Sequence, residues 1–568
     1  MVVLSSADKV KHNLTNSSFV ATSLVLLLIL FIRVTRGLDL TDEMQYYGEI
    51  KGLIETGGLF SNDLFIQQSV YILFYPVFYL YHLIFGFDGL VFFGRMVMSI
   101  LSAGIFIYTY QKLVAQEFSK TVASLTALSL TFAIPYHGIF APSYNTISQI
   151  LWIVFALRFF EWKQNSALSL GILPVIMAFA HPTSAVMMVL LLLARLLTER
   201  EFVQIGKLVL VFLGGALVAI PVALHFASVH EYLSSLSFSS GYGVGAVFFS
   251  NKEQSIALVV IYAMFASCAL VWANLNKFSF LISTALILPT AIYLFWSGFV
   301  QWGYSPWVVY FLSTLTALAY GWALSSAPIG DAKIRIRIHW LVALILMFAT
   351  TLGVTSGNGI GQSTGAFMVG LPLLLGIAMT STLHNTKPGE SSFIKVACVF
   401  LVSVLFVVHW SRFAYREDSW WNTNELIRSV SEFNFISTSS DRANFIRHMQ
   451  QTLGREIQGR HTLIISEYPA LYFAMNTIPE TCMLYMHSIT SDKSEKILLE
   501  CLEKKSPQII VDILVDKGVS LEESRIKKVM KSYYVSKGYD CDRNSMRFHS
   551  DGIYNPAQLK VSVCKQNI

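Results

Sequence analysis

Apolar runs of about 20 residues recur from Ser18 to Val408, the length a helix needs to cross the hydrocarbon core of a bilayer. The pattern predicts membrane helices near 18–36, 88–111, 119–137, 144–160, 167–180, 183–198, 207–228, 256–274, 278–298, 306–325, 338–355, 364–382 and 393–411. His181-Pro182 divides two short helices, 167–180 and 183–198. The segment 64–86 is apolar enough to span but contains Gln67, Gln68, Pro76 and His82. It reads either as a further span or as a helix lying in the interface.

Loop charge decides between these. With 64–86 outside the count there are thirteen helices, and the N-terminus is cytoplasmic. The loops then assigned inside carry Lys112, Lys120, Lys163, Arg195, Arg200, Lys207, Lys277, Lys333, Arg335, Arg337, Lys387 and Lys395. Those assigned outside, before the C-terminal region, carry only Lys51 and Lys252. This is positive-inside asymmetry, and counting 64–86 as a span inverts it. The segment is therefore expected to be interfacial. The first run has Lys9, Lys11 and His12 before it and no small-residue cleavage site after it, so it reads as a retained anchor.

Beyond Trp410 the pattern changes. Residues 413–568 are polar and long enough for one soluble domain outside the membrane. Thr462–Ser466 and Gln508–Asp512 read as short buried strands, and Leu559–Val563 as an edge strand. Leu426–Leu453, Ala470–Asn476 and Ser491–Lys504 read as helices, which together suggest a small α/β layer. Cys482, Cys501, Cys541 and Cys564 permit disulfides there, with the pairing open. Cys268 and Cys398 read as packing residues in membrane helices. No phosphate-binding glycine loop and no internal repeat is present, and the lack of a repeat weighs against a transporter.

Composition sharpens this picture. The chain is 54% hydrophobic, too apolar for a soluble protein of 568 residues. The formal charge of +6 sits largely in connecting loops, which argues against nucleic acid as a partner. Only 13% of residues are charged, so a cluster of acids just past the first helix stands out: Asp39, Asp42 and Glu43. On a helix over 42–57, Asp42, Tyr46 and Glu49 share one side, and Gly57-Gly58 ends it. The acids suit a catalytic base at the membrane surface or, equally, a solvated loop and helix cap, for which Thr41 and Asp42 are also suited. Arg95, inside an apolar run, suits phosphate binding or snorkelling to the interface. His181 is either a basic ligand or a hydrogen-bonded structural histidine. Tyr136, His137, Tyr144 and Asn145 in the second outer loop suit sugar hydroxyls or an aromatic belt. Trp302, Tyr304 and Trp307 carry the same two readings. Asp39, Asp42 and Glu43 could hold a divalent ion, but no acidic partner loop accompanies them, so no metal or cofactor is expected.

The run Asp42-Glu43-x-x-Tyr46-x-x-Glu49-Ile50, about six residues past the first helix and followed by Gly57, resembles the first outer loop of the GT-C superfamily of integral-membrane glycosyltransferases. It is most similar to the lipid A aminoarabinose transferases and also similar to the protein O-mannosyltransferases. Residues 64–86 match the second interfacial helix of those families, and Arg95 in Phe93-Gly94-Arg95-Met96 matches their arginine near the next helix. Two departures are visible. Gln67-Gln68-Ser69-Val70-Tyr71 stands where the aminoarabinose transferases have a phosphate-contacting Lys-Pro, and Tyr144-Asn145 stands where they have an aspartate.

The resemblance implies a polytopic α-helical membrane protein of GT-C type, spanning 1–412, with a C-terminal soluble α/β domain over 413–568. It implies a glycosyltransferase moving a sugar from a polyprenyl-phosphate donor to a glycolipid, surface polysaccharide or protein by a single inverting displacement. Asp42 would be the base, Glu43 its support and Asp39 a helper. Arg95 and His181 would meet the donor phosphate, and Tyr46, Tyr136, His137, Tyr144 and Asn145 the substrate. The expected location is a bacterial inner membrane with the C-terminal domain in the periplasm. A transporter or lipid flippase is the alternative, and a surface-polymer assembly subunit a third.

Overall fold

The structure is a computed structural model. It describes residues 17–135, 138–161, 166–242, 261–263, 265–266, 306–327, 332–355, 362–385, 400–404, 417, 419–466, 468–484, 492–516, 525–550 and 557–566. Helices dominate it, and a small sheet lies in the C-terminal part. In chain order they are α1 (Ser17–Thr35), α2 (Asp42–Thr56), a 3-10 helix at Ile66–Leu73, α3 (Tyr75–Phe85), α4 (Leu90–Ala115), α5 (Lys120–Phe132), α6 (Tyr144–Glu161) and α7 (Ser166–Ala180). There follow α8 (Pro182–Thr198), α9 (Phe202–Phe226), α10 (Val229–Tyr242), α11 (Pro306–Ser326), α12 (Ala332–Thr355) and α13 (Thr364–Asn385).

Five described helices are long and apolar enough to cross a membrane: α1, α4, α9 and most of α11 and α12. Their outer surfaces suit hydrocarbon: α9 exposes Leu210, Leu213 and Leu217, and α1 exposes Leu24, Leu27, Leu28 and Phe31. The expected thirteen spans are not reached among the described residues. Helix α5 is 13 residues long, shorter than the expected 119–137, because the helix gives out ahead of Pro135. Helices α7 and α8 are short and divided at His181-Pro182 as expected. The expected spans 256–274, 278–298 and 393–411 fall largely outside the described residues.

The segment 64–86 is two pieces. The 3-10 helix and α3 meet at 70°. Phe74 lies at the bend, and Pro76 starts the second piece in the first turn, where its missing N–H costs nothing. Only as a bent pair would it count as a sixth span. Helix α3 buries Phe78 and exposes Leu80, Leu83, Ile84 and Phe85.

Helix α2 is the pivot. Gly57 ends it in the left-handed region at φ 69°, its N–H bonded to Leu53 O, as the Gly57-Gly58 pair predicts. Its inner face lies on α4, where the Tyr47 ring occupies the space above Gly94 and the Tyr47 hydroxyl donates to Val91 O at 3.2 Å. A Cβ on Gly94 would stand 2.4 Å from the ring. Gly94→Ala is therefore expected to destabilise the protein by ~1–3 kcal/mol, read as a lowered melting temperature in detergent.

The C-terminal region holds a short ladder, β1 (Glu425–Leu426) against β2 (Ser437–Thr438), then α14 (Ser440–Ile457). A five-stranded sheet follows, built from β3 (His461–Ile465), β4 (Ile478–Pro479), β5 (Ile509–Asp516), β6 (Tyr539–Ser550) and β7 (Ala557–Gln566) in the order β4-β3-β5-β7-β6. The first three strands are parallel, while β7 runs antiparallel to both β5 and β6. Helices α15 (Ala470–Ala474), α16 (Asp492–Leu502) and α17 (Arg525–Ser536) connect them.

Two expectations are corrected. The helix expected over Leu426–Leu453 begins only at Ser440, because extended backbone at Val430 and a positive φ at Phe435 interrupt it and Ser439 sits at the cap. The expected edge strand at Leu559–Val563 is interior, since β6 covers its far side. The four cysteines pair as Cys482–Cys501 and Cys541–Cys564, the second joining β6 to β7.

Candidate functional site

The site is built where α1 turns into α2. Gly37, at φ 79°, lets the chain turn, and its N–H donates to Ser437 O at 2.8 Å. Arg36 donates to Trp420 O, Thr423 O and Asn424 Oδ1 at 3.2, 2.9 and 2.9 Å. Glu417 accepts from Leu38 N at 3.0 Å and pairs with Arg442, which in turn donates to Leu38 O at 2.7 Å. The C-terminal region thus grips both sides of the corner. It also grips α2: Lys51 pairs with Glu432 at 2.8 Å, and the Leu484 side chain fills the space over Gly48.

Asp39 is the cap of α2. Its carboxylate accepts from Thr41 Oγ1 at 2.6 Å, Thr41 N at 3.1 Å and Glu43 N at 2.9 Å. Thr41 occupies the N-cap position but makes no capping bond with its own side chain. Asp39 therefore satisfies donors that the helix leaves open and places negative charge at its positive end.

Glu43 and Arg95 form one buried pair. Arg95 Nε donates to Glu43 Oε1 at 2.8 Å and Nη2 to Oε2 at 2.7 Å, the fork-to-carboxylate geometry of a strong charge-assisted contact. Arg95 Nη1 donates to Arg33 O at 3.2 Å and Arg36 O at 3.3 Å. Arg95 is 4% exposed and Glu43 2%. Arg95 thus ties α4 to both the end of α1 and the start of α2. The phosphate contact expected of it would require Glu43 to release it. The acids Asp39, Glu43 and Glu417 and the guanidiniums of Arg33, Arg36 and Arg95 line one narrow cleft.

Asp42 lies on a different side of α2 and is partly exposed. The Tyr46 and Tyr144 rings meet edge to face at 6.3 Å, and Asn145 Nδ2 lies 3.5 Å from the Tyr46 hydroxyl. The Tyr144 hydroxyl is within reach of Gln67 and Asn145, and it senses the charges of Asp42 and Glu49. Four of the expected residues, Asp42, Tyr46, Tyr144 and Asn145, are thus brought together. Gln67, from the segment that departs from the family pattern, joins them.

A second acid pair lies deeper. Gln45 Nε2 donates to Glu49 Oε1 at 2.9 Å and to Asp63 Oδ2 at 3.1 Å, and Tyr71 lies beside Glu49. Asp63 also accepts from Phe65 N and from Leu484 N, both at 3.3 Å. Burial pushes the Glu49 carboxyl well above the usual carboxylate range, and the charge of Asp63 adds to this. Burial likewise pushes Asp63 up to about 7, against the pull of the Phe65 and Leu484 N–H groups. Asp63 is not among the residues the sequence points to, since Ser61-Asn62-Asp63 reads as an ordinary polar loop. The available signal was its position directly before an apolar segment that itself carries two glutamines.

His181 is 8% exposed, and its Nδ1 accepts from Ser184 N at 3.2 Å, which makes it the cap of α8. Tyr136, His137, Trp302 and Tyr304 lie outside the described residues. Among the described residues no group of three or more His, Cys, Asp or Glu side chains is placed to hold a metal ion. No family model matches the chain, and no relative is found for it among curated proteins.

Proposed function

We propose that the chain is an integral-membrane glycosyltransferase that moves a sugar from a polyprenyl-phosphate donor to a hydroxyl or amine on a glycan, lipid or protein. The observation that carries this reading is the start of α2 around Asp42. Asp42 is partly exposed there beside Tyr46, Tyr144 and Asn145, on a helix that Asp39 caps and the Glu43–Arg95 pair braces. A carboxylate on a packed helix, next to aromatic rings and an amide, suits a base facing a sugar.

In this reading Asp42 takes the proton of the acceptor as its oxygen or nitrogen attacks the anomeric carbon. The bond from that carbon to the phosphate oxygen breaks, and the electron pair leaves with the phosphate. One displacement inverts the anomeric centre. Tyr46, Tyr144 and Asn145 meet hydroxyl groups or the C–H face of the sugar. Arg95 positions Glu43 and the start of α2. The site faces the outer side of a bacterial inner membrane, with the C-terminal region in the periplasm clamped over it.

Asp42→Asn keeps size and helix position but cannot take a proton. It is expected to lower transfer from a panel of radiolabelled polyprenyl-phosphate sugars by ~10²–10⁴-fold without changing the melting temperature. Full activity in this variant removes Asp42 as base. Undiminished uptake or flipping of a lipid substrate by it, with no transfer by the wild type, favours a transporter.

A further inference from the structure

A groove of about 620 Å³ opens on the C-terminal region between α14 and the segment 426–429, on residues the catalytic reading does not use. One wall is a single helix face, because Arg447, Gln450, Gln451 and Arg455 recur at i, i+3, i+4 and i+8 of α14. The other wall carries Leu426, 45% exposed, and the exposed Arg428. Gln450 fixes the width: it accepts from Ser429 Oγ at 2.7 Å and donates to Ala474 O at 2.8 Å. The groove is therefore built by packed elements and not by a loose loop.

Its charge is unbalanced. Arg447 is paired with Glu425 at 2.9 Å and also donates to Asn444. Among the described residues Arg428 and Arg455 make neither an ion pair nor a hydrogen bond. Arg455 gains a little from the C-terminal end of the α14 dipole. Arg428 follows a strand and has no such reason to be where it is. Guanidinium forks match the planar oxygens of carboxylates and phosphates. Gln451 and Ser429 offer neutral partners of the kind sugar hydroxyls use, and Leu426 offers an apolar ledge for a sugar ring.

We propose that this groove binds an anionic oligosaccharide, with acidic groups on Arg428 and Arg455 and neutral hydroxyls on Gln451 and Ser429. The alternation of charged and neutral donors in a concave surface favours a glycan over an anionic membrane surface, which is met by dense Lys/Arg clusters. The proposal stands apart from the transferase reading, because binding is measured without turnover.

The test is fluorescence anisotropy on the full chain in detergent, at low and at physiological salt. The probes are fluorescein-labelled octagalacturonate, a labelled phosphomannan oligosaccharide of similar length and labelled maltooctaose, and phosphatidylglycerol vesicles are tested separately by co-flotation. At least one anionic glycan is expected to bind, more weakly at higher salt, and maltooctaose is not. Both arginines are exposed, so Arg428→Gln/Arg455→Gln is expected to fold normally and to weaken binding about tenfold, while Lys496→Gln on α16 changes nothing. The proposal is overturned if neither anionic glycan binds, if maltooctaose binds as well as they do, if the double variant binds undiminished, or if only the vesicles bind.

Discussion

Arg95→Ala is expected to destabilise the protein by ~3–5 kcal/mol, the usual cost of leaving one buried partner of an ion pair uncompensated. The reason is particular to this corner. Arg95 satisfies both oxygens of Glu43 and two backbone carbonyls at once, and Glu43, Arg33 and Arg95 are all buried. Removing the guanidinium takes the partner from a carboxylate that is 2% exposed in the intact protein and frees the end of α1 from the start of α2. The double variant Glu43→Gln/Arg95→Met removes both charges and is expected to recover much of the loss. Melting temperatures of Glu43→Gln, Arg95→Met and the double variant close the cycle. A single Arg95→Ala variant as stable as the wild type would show that the pair is not holding the corner, and so would a double variant that loses the sum of both.

Raising the pH from about 4 to about 7 is expected to weaken the seam between α2, the 63–71 segment and the C-terminal region. In the folded protein burial holds a proton on Asp63 up to about pH 7, against an ordinary value of 3.8. Between those values the folded state binds more protons than the unfolded chain, so stability falls as pH rises, and above about 7 both states are ionised and the fall ends. A shift of this size corresponds to ~4 kcal/mol as an upper figure. The groups facing Asp63 are Glu49 and Gln45 from α2, Phe65 N and Gln68 from the segment that follows it, and Leu484 N and Tyr472 from the C-terminal region. Burial shifts Glu49 in the same direction. Asp63→Asn keeps an acceptor for the Phe65 and Leu484 N–H groups without the ionisation. Its melting temperature is expected to vary less than that of the wild type between pH 4 and 7. Parallel profiles for the two proteins would remove Asp63 from the account.

What the sequence made legible follows from the range of the physics involved. Helices α1, α4, α7 and α8 are visible because hydrophobic length and the His181-Pro182 break are local signals. The same holds for α2, whose Gly57 stop is a single-residue requirement. The Glu43–Arg95 pair is not local: its partners lie 52 positions apart, and sequence offered each a separate role. A cap formed by an acid three residues before the helix resembles any other loop acid, so local pattern does not separate Asp39 the cap from Asp39 the catalytic helper. Asp63 is hidden in the same way. In the C-terminal region the alternation at 559–563 gave a strand but not its neighbours, so β7 was placed at an edge that β6 occupies. Pattern reports which face of a strand is buried and says little about what lies beside it.

Native mass spectrometry on the gently purified, detergent-solubilised protein tests the central claim most directly. The account predicts a co-purifying polyprenyl phosphate, or its retention when polyprenyl-phosphate sugars are added, with the added mass identifying the sugar class. Bulk phospholipid alone, with no retention of any polyprenyl-phosphate sugar from the panel, would contradict the glycosyltransferase reading.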